Sequence, residues 1–295
     1  MGARADLDRA LDVLLRFGAA MLHAGDTAFR VRDAMRKLAT ALGIERLDVQ
    51  LWTGGLTVTA RAGVEIVTLA REIGPPGVDA SKIAALESLS YKVTPGLTPE
   101  ALAERLDAIE KAPPLHGLLP VALSMAVAST AFSFLNGGDL LATAAAAASG
   151  GIGQAARTLL SRRGFNQFAM TALCAVLASG LYCLIVLGFG VRSFAFVHAI
   201  GFISSVLFLV PGFPLVAALL DLTQHQATAG ITRLFYGILL TLSAACGMSV
   251  VAMLAGLTPA PAAPPPGAID PAMVAWRALA CFAGGYGYGI LFNNP

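Results

Sequence analysis

Residues 164–191, GFNQFAMTALCAVLASGLYCLIVLGFGV, contain no charged side chain. About 20 apolar residues suffice to carry a helix across the hydrocarbon core of a bilayer, so this stretch reads as a membrane span. The scarcity of charge extends well beyond it. Residues 1–112 hold 14 of the 20 Lys+Arg and 15 of the 18 Asp+Glu, and the rest of the chain carries only Asp139, Arg157, Arg162, Arg163, Arg192, Asp221, Arg233, Asp270 and Arg277. A soluble domain cannot keep a wetted surface with so few charges. Where lipid is the solvent, backbone groups must be bonded within the protein, and helices do this segment by segment. Hydrophobic residues make up 56% of the chain and charged residues 13%, against roughly 45–50% and 25% for soluble proteins.

The spacing of apolar runs after Pro113-Pro114 predicts about six transmembrane helices, near 115–135, 140–160, 166–188, 194–220 (broken), 229–256 and 272–291. The expected architecture is an α-helical membrane bundle preceded by a small α+β domain over 1–112. A five-helix bundle spans 113–258, a Pro-rich periplasmic linker 259–271, and a further helix 272–295. Arg157, Arg162, Arg163 and Arg233 fall on one side of this arrangement, while Asn136–Asp139, Arg192 and the proline-rich link fall on the other. Basic loops stay inside, which supports a cytoplasmic N-terminal domain in a protein of the inner-membrane type. Charges at Arg4, Asp6, Asp8, Arg9 and Asp12 interrupt any secretory h-region. The net charge of +2 and the absence of a basic, aromatic-laced stripe argue against nucleic acid. Cys174, Cys183, Cys246 and Cys281 all lie in apolar segments and read as packing residues, not as disulfides or metal ligands.

In the first 112 residues, Leu11, Leu14, Leu15 and Leu22, then Val31, Met35, Leu38 and Leu42, repeat at helical spacing. Gly25-Asp26-Thr27 breaks the two helices, with Asp26 or Thr27 as the cap of the second. The period then falls to two. Leu47, Val49 and Leu51 make one strand, and Leu56, Val58 and Ala60 a second across a Gly54-Gly55 turn in which both glycines accept positive φ. A third strand runs from about Val64 to Glu72. Two helices close this three-stranded antiparallel domain, one carrying Ile83, Leu86 and Leu89, the other opening at Thr98-Pro99-Glu100. No nucleophile elbow, zinc motif or phosphate loop is present. A His23/Asp26 acid–base pair is the one catalytic reading, and a helix-end histidine in ordinary contact is the preferred one. The domain reads as a regulatory or scaffolding module.

The membrane part holds the candidate site residues. In Leu209-Val210-Pro211-Gly212-Phe213-Pro214-Leu215, two prolines remove N–H groups and free carbonyls near Leu207 and Val210. Those groups need partners from protein, water or substrate. Discontinuous helices often line a transport site; a kink repaired by neighbouring Ser or Thr is the plain alternative. Asp221 follows Pro214 by seven residues on about the same face, and a carboxylate beside a membrane helix is a functional candidate by default. As one helix, 193–220 would run about 42 Å, so an interfacial position for Asp221 stays equally open. Asn136 and Asp139 flank an outer turn, where Asn-Gly-Gly-Asp is also good turn chemistry. Gln154 and Arg157 share a face and can meet an anion or the interface. His198 can relay protons, with a packed histidine the commoner case. Ala142, Ala144–Ala148, Gly150, Gly151 and Gly153 offer a flat surface for close helix approach.

These features together resemble the threonine/serine exporter family of bacterial inner-membrane proteins. The resemblance rests on Gly25-Asp26-Thr27 with Arg30–Met35 and Leu42-Gly43, on Asn136–Asp139, on Leu209–Leu215 with Asp221, and on Thr228–Leu234. It implies a proton-coupled secondary exporter of threonine and serine, or a related C4-dicarboxylate (succinate) export subunit, with no cofactor or metal and no enzymatic role. It implies Asp221 as the coupling or substrate-amine group, with the Pro211–Pro214 break, Gly212 included, supplying backbone partners. It also implies that Trp276–Pro295 is the first helix of a second exporter half, so that a further membrane half or subunit completes the transporter; a homo-oligomer stays open as well. A non-transporting membrane sensor or assembly subunit is the remaining alternative.

Overall fold

The computed structural model describes residues 2–93, 96–191, 196–257 and 271–295. Arg192 and the linker 259–270, with Asp270, lie outside the described residues. The chain forms two compact units, each assembled from separate stretches of sequence.

The first unit comprises Met1–Leu115, Gly212–Gly237 and Asn293–Pro295. It opens with α1 (Gly2–His23) and α2 (Ala28–Ala41), continues as strands β1 (Arg46–Trp52), β2 (Gly55–Ala62) and β3 (Glu65–Glu72), and returns through α3 (Ala80–Tyr91) and α4 (Pro99–Lys111). The sheet is an antiparallel meander with Val49 opposite Val58 and Val58 opposite Leu69. Period-two alternation fixes which face is inward, since a one-residue slip would turn Leu56, Val58 and Ala60 to solvent. These three are fully buried, together with Leu11, Leu14, Phe17 and Met21 of α1, Met35 and Leu38 of α2, Leu86 of α3, and Leu102 and Leu106 of α4. Each such large side chain stabilises the fold by about 1.5–3 kcal/mol relative to exposure. Thr98 caps α4 by accepting from the Ala101 N–H at 3.3 Å, with Pro99 in the first turn, as the sequence predicts.

Two local details differ from expectation. The β1–β2 turn is Thr53-Gly54, because Gly55 is already in β2 opposite Trp52, and neither glycine has a positive φ. Gly55 is needed for close approach, since a Cβ there would lie 2.7 Å from the Trp52 ring and 2.8 Å from the Arg71 carbonyl oxygen. Thr27 occupies the N-cap position of α2, yet its hydroxyl makes no capping bond and the Asp26 carboxylate accepts only from the Thr27 N–H, at 2.8 Å. The cap comes from elsewhere in the chain. The later stretch of the unit supplies α9 (Gly212–Thr223) and the first part of α10 (Ala227–Leu254), which pack closely where a Cβ on Gly230 would meet Leu222 at 2.7 Å.

The second unit comprises His116–Pro211 and Ile238–Phe292. It holds α5 (Leu118–Leu135), α6 (Leu140–Ser161), α7 (Gln167–Gly188), α8 (Phe196–Ser204), a 3-10 turn at Leu207–Leu209, the remainder of α10, and α11 (Pro271–Leu291). Small residues let these helices touch backbone to backbone. A Cβ on Gly151 of α6 would lie 3.1 Å from the Ala122 carbonyl oxygen of α5, one on Gly287 of α11 2.6 Å from that of Ser124, and one on Gly247 of α10 2.4 Å from that of Ala172 on α7. The cysteines are free: Cys174 and Cys183 are packed inside, Cys246 and Cys281 face outward.

All six apolar segments are helical, but they are not equal. Leu118–Leu135, Gln167–Gly188 and Ala227–Leu254 are each long and apolar enough to cross a membrane, and Phe196–Ser204 with Leu207–Thr223 makes a fourth if the broken pair is one span. Among the described residues three spans meet this measure, or four with the bent pair, against the expected six. The apolar content of α6 is mostly Ala and Gly, and α11 carries Arg277 and several glycines, so neither matches the others in hydrophobicity.

The glycine contacts give a direct test. Gly247→Val places side-chain carbon inside a backbone contact and is expected to cost about 3 kcal/mol or more. Gly285→Ala, which meets nothing within 4 Å, is expected to change stability by less than about 0.5 kcal/mol. Thermal unfolding of the purified variants in detergent, read by tryptophan fluorescence, separates the two.

Candidate functional site

Two polar arrangements stand out, one in each unit, and both begin from backbone groups that a helix cannot satisfy by itself. The first is the break between α8 and α9. The chain leaves α8 at Ser204, makes the 3-10 turn Leu207–Leu209, and re-enters helix at Gly212, just past Pro211. Pro214 sits in the first turn of α9, where a missing N–H costs nothing. The carbonyl groups before Pro211 do need partners. The Phe208 carbonyl accepts from an Arg157 guanidinium N–H at 2.7 Å, and the Leu207 carbonyl accepts from Val210 N–H at 3.2 Å and, weakly, from the Tyr288 hydroxyl at 3.4 Å. The repair is therefore made by Arg157 at Phe208 and by a 3-10 backbone bond, with Tyr288, at Leu207, in place of the Ser or Thr expected of an ordinary kink.

Gln154 lies one turn before Arg157 on α6 and is buried, at 6% exposure. Its amide donates to the Thr158 hydroxyl at 3.3 Å, while Oε1 has no hydrogen-bond partner. The Ser129 hydroxyl, fully buried on α5 against Gly150, is also without one. Leaving such a group dry and unbonded costs about 1–3 kcal/mol, so unpaired polar atoms inside a bundle point to a small polar visitor or to water. Phe208 closes the same region, since a Cβ on Gly153 would lie 2.6 Å from its ring.

The second arrangement lies in the first unit. Asp221 of α9 is fully buried, and its Oδ1 accepts from the Ala28 N–H at 2.7 Å and weakly from the Phe29 N–H at 3.4 Å. It thereby caps the N-terminus of α2 from 193 residues away, where the helix dipole favours an anion. Arg233 of α10, 4% exposed, sits 3.7 Å from the Asp221 carboxylate and donates to the carbonyls of Asp26 at 2.8 Å and Gly25 at 3.4 Å. The Gly25 φ of +102° and the Gly77 carbonyl, 2.7 Å from where a Cβ would stand, make glycine necessary there. Asp26 is itself buried. Its Oδ1 lies 3.5 Å from Arg30, which also pairs with Glu87, and its Oδ2 has no hydrogen-bond partner. Burial pushes the Asp26 carboxyl above its ordinary range, although Arg30 opposes the shift. Burial also works against the charge of Arg30, but Asp26 and Glu87 outweigh it and hold its pKa above the usual value.

Of the remaining predicted residues, Asn136 ends α5 with its amide on the Phe132 carbonyl at 2.7 Å, and Asp139 caps α6 through the Ala142 N–H at 2.7 Å. Both are exposed and make turn chemistry. The carbonyl of buried His198 accepts from the Tyr182 hydroxyl at 2.9 Å. His23 is exposed, and Asp26 turns to Thr27 and Arg30 in place of any pairing with it. Sequence reasoning took Arg233 for a loop charge and Asp26 for a local cap. No periodicity reports a bond that joins residue 26 to residue 233. An arginine within the first turns of a long apolar stretch is the one hint in the sequence.

A bundle of apolar helices with a broken span, a guanidinium on the freed carbonyl and unpaired amide and hydroxyl groups nearby describes a membrane transporter. Comparison with known proteins agrees. Residues 12–255 match the family model described as "Putative threonine/serine exporter", and the chain belongs to that family. It is 23% identical over 247 residues to the "Probable succinate transporter subunit YjjP" of Escherichia coli (strain K12), covering 82% of this chain and 93% of that protein. The protein of the same name from Klebsiella aerogenes is 23% identical over 241 residues, covering 80% and 90%. No solved structure matches the chain.

Two stability outcomes follow. Arg233→Ala leaves Asp221 and two buried carbonyls without their cation, and is expected to cost about 3–5 kcal/mol. Asp26→Asn should stabilise the protein most at high pH. A carboxyl raised by folding binds more protons in the native state, so wild-type stability falls as pH rises out of the ordinary carboxylate range. The melting-temperature gain of Asp26→Asn over wild type should therefore shrink between about pH 7.5 and about pH 4.5. A gap independent of pH would show that Asp26 carries no such shift.

Proposed function

We propose that the chain is the substrate-conducting subunit of a secondary exporter for small polar metabolites, acting in a bacterial inner membrane with its first unit on the cytoplasmic side. The observation that carries this reading is Arg157 holding the Phe208 carbonyl at the break, with the open Oε1 of Gln154 one turn away. The guanidinium is a planar, permanently charged fork whose geometry matches a carboxylate, so Arg157 is the group at the break suited to a substrate carboxylate. The Gln154 and Ser129 oxygens can accept from an ammonium or hydroxyl group, which suits threonine or serine. A second carboxylate would face those acceptors without a cation, so threonine and serine are preferred. The dicarboxylate reading is kept because the two relatives are named succinate transporter subunits. That same word, subunit, supports a second membrane protein as partner, with α11 as the segment that resembles the start of another exporter half.

For Asp221 the geometry favours positioning over substrate contact: its carboxylate is engaged by two backbone N–H groups and lies near Arg233. The coupling proton is then carried elsewhere, and Asp221 holds α9 and α10 to the start of α2. Pro211, Gly212 and Pro214 shape the break, while Asn136, Asp139 and His198 fix helix ends.

Efflux tests the assignment. Cells loaded with threonine dipeptides or labelled succinate are compared with and without a co-expressed second subunit. Gln154→Leu removes an unpaired acceptor, so it is expected to leave folding intact and to lower threonine efflux about tenfold. Arg157→Lys keeps one donor and is expected to retain part of the activity that Arg157→Gln loses. Asp221→Asn is expected to destabilise the protein but to leave the pH dependence of residual efflux in place. Loss of that pH dependence in a well-folded Asp221→Asn protein would return the coupling role to Asp221, and unchanged efflux in Gln154→Leu would remove the proposed site.

A further inference from the structure

The first unit contains a cavity of about 620 Å³, remote in sequence from the broken span. It lies among α1, the end of β3, the Gly77–Asp79 segment, α3 and α4, with a floor of Ala19, Ala20, Ile73, Leu86 and Ile109. Its size falls within the range of small-molecule sites, which are mostly apolar with a few placed polar groups.

Most charges on its wall are already engaged. Arg16 pairs with Glu110 and Asp107, Arg71 with Asp12 at 2.8 Å, and Asp79 accepts from Ser81, the Lys82 N–H and Asn293. Three side chains are left over among the described residues. Lys82 donates only to the Glu110 carbonyl, at 3.3 Å, and Glu72 and His23 are in no ion pair. One ammonium and one carboxylate on an apolar floor complement a molecule that carries both signs.

The wall is also tied to the buried charges described above. The His23 carbonyl accepts from Gly77 N–H at 2.9 Å, and the Ala24 carbonyl from Asp79 N–H at 2.9 Å. The next two carbonyls, Gly25 and Asp26, are those held by Arg233, and the next free N–H, Ala28, is that held by Asp221. Residues 23–28 thus touch the cavity on one side and α9 and α10 on the other. We propose that this cavity is a regulatory site for a small zwitterion of the amino-acid class, and that the 23–28 segment carries its occupancy to α9 and α10. A ligand that favours one arrangement of that segment shifts the equilibrium of whatever it holds.

Full-length protein in nanodiscs serves for the test, with threonine as the zwitterionic probe and succinate as the dianionic one. Titration calorimetry should show threonine binding that weakens about tenfold or more in Glu72→Gln and in Lys82→Gln, since each removes a charge-assisted bond. It should persist in Arg157→Gln. Hydrogen exchange should slow at residues 23–29 and 221–233 when threonine is added to wild type, and not in Lys82→Gln. Three results would overturn the proposal: no threonine binding at about 10 mM, tighter binding of succinate than of threonine, or binding lost in Arg157→Gln and kept in Glu72→Gln and Lys82→Gln. The last would place the ligand at the transport site and leave that reading intact.

Discussion

A backbone carbonyl or amide cut off from both helix and water needs a partner, and this chain meets that need with charged side chains drawn from far along the sequence. The Phe208 carbonyl, exposed by the break before Pro211, is held by Arg157. The open N-terminus of α2 is held by Asp221, and the carbonyls that lead into it are held by Arg233. Each of these charges is costly to bury by itself. Each becomes tolerable because it bonds to groups that would otherwise be unsatisfied. Three of the few charges in the apolar part, Arg157, Asp221 and Arg233, thus sit where helices leave backbone groups open.

That constraint also explains how one protein can be stable and still hold irregular backbone. Along α5, α6, α7, α10 and α11, packing is made by glycine and alanine, with backbones nearly in contact. Such contacts are dry and leave little to adjust. The break at Leu207–Gly212 is different, with hydrogen bonds made by long, rotatable Arg and Tyr side chains. Unpaired oxygens on Gln154 and Ser129 mark the same region as incompletely satisfied.

In the first unit the long-range bonds do something else. The sheet and its helices contain a hydrophobic core sufficient for a small domain, with Leu11, Leu14, Val58, Leu102 and Leu106 at its centre. To this are added α9, the start of α10 and Asn293, whose amide donates to Asp79 at 2.8 Å and whose carbonyl accepts from Ser81 N–H at 3.2 Å. The α1–α2 connection becomes the meeting point of segments remote in sequence, with a glycine at its sharpest position and a buried carboxyl beside it.

Much of this was legible in the residues. Period-two alternation gave the three strands, helical spacing gave α1 to α4, and long apolar runs with few charges gave the apolar helices. These are local properties: side-chain direction repeats along a helix or strand with a fixed period, and burial selects for it. The proline pair marked the break, and the exporter family was recognisable from its motifs. The partners of the charged residues were not legible. Thr27 has the right residue type and position for a cap, and only the fold shows that Asp221 displaces it. Gly54-Gly55 reads as a turn, and only the register moves it by one residue. Arg157 and Tyr288 are separated by more than a hundred residues, yet both reach the turn before Pro211. A hydrogen bond depends on distance in space, and sequence periodicity carries no distance between elements; tertiary structure alone decides which charge answers which open backbone group.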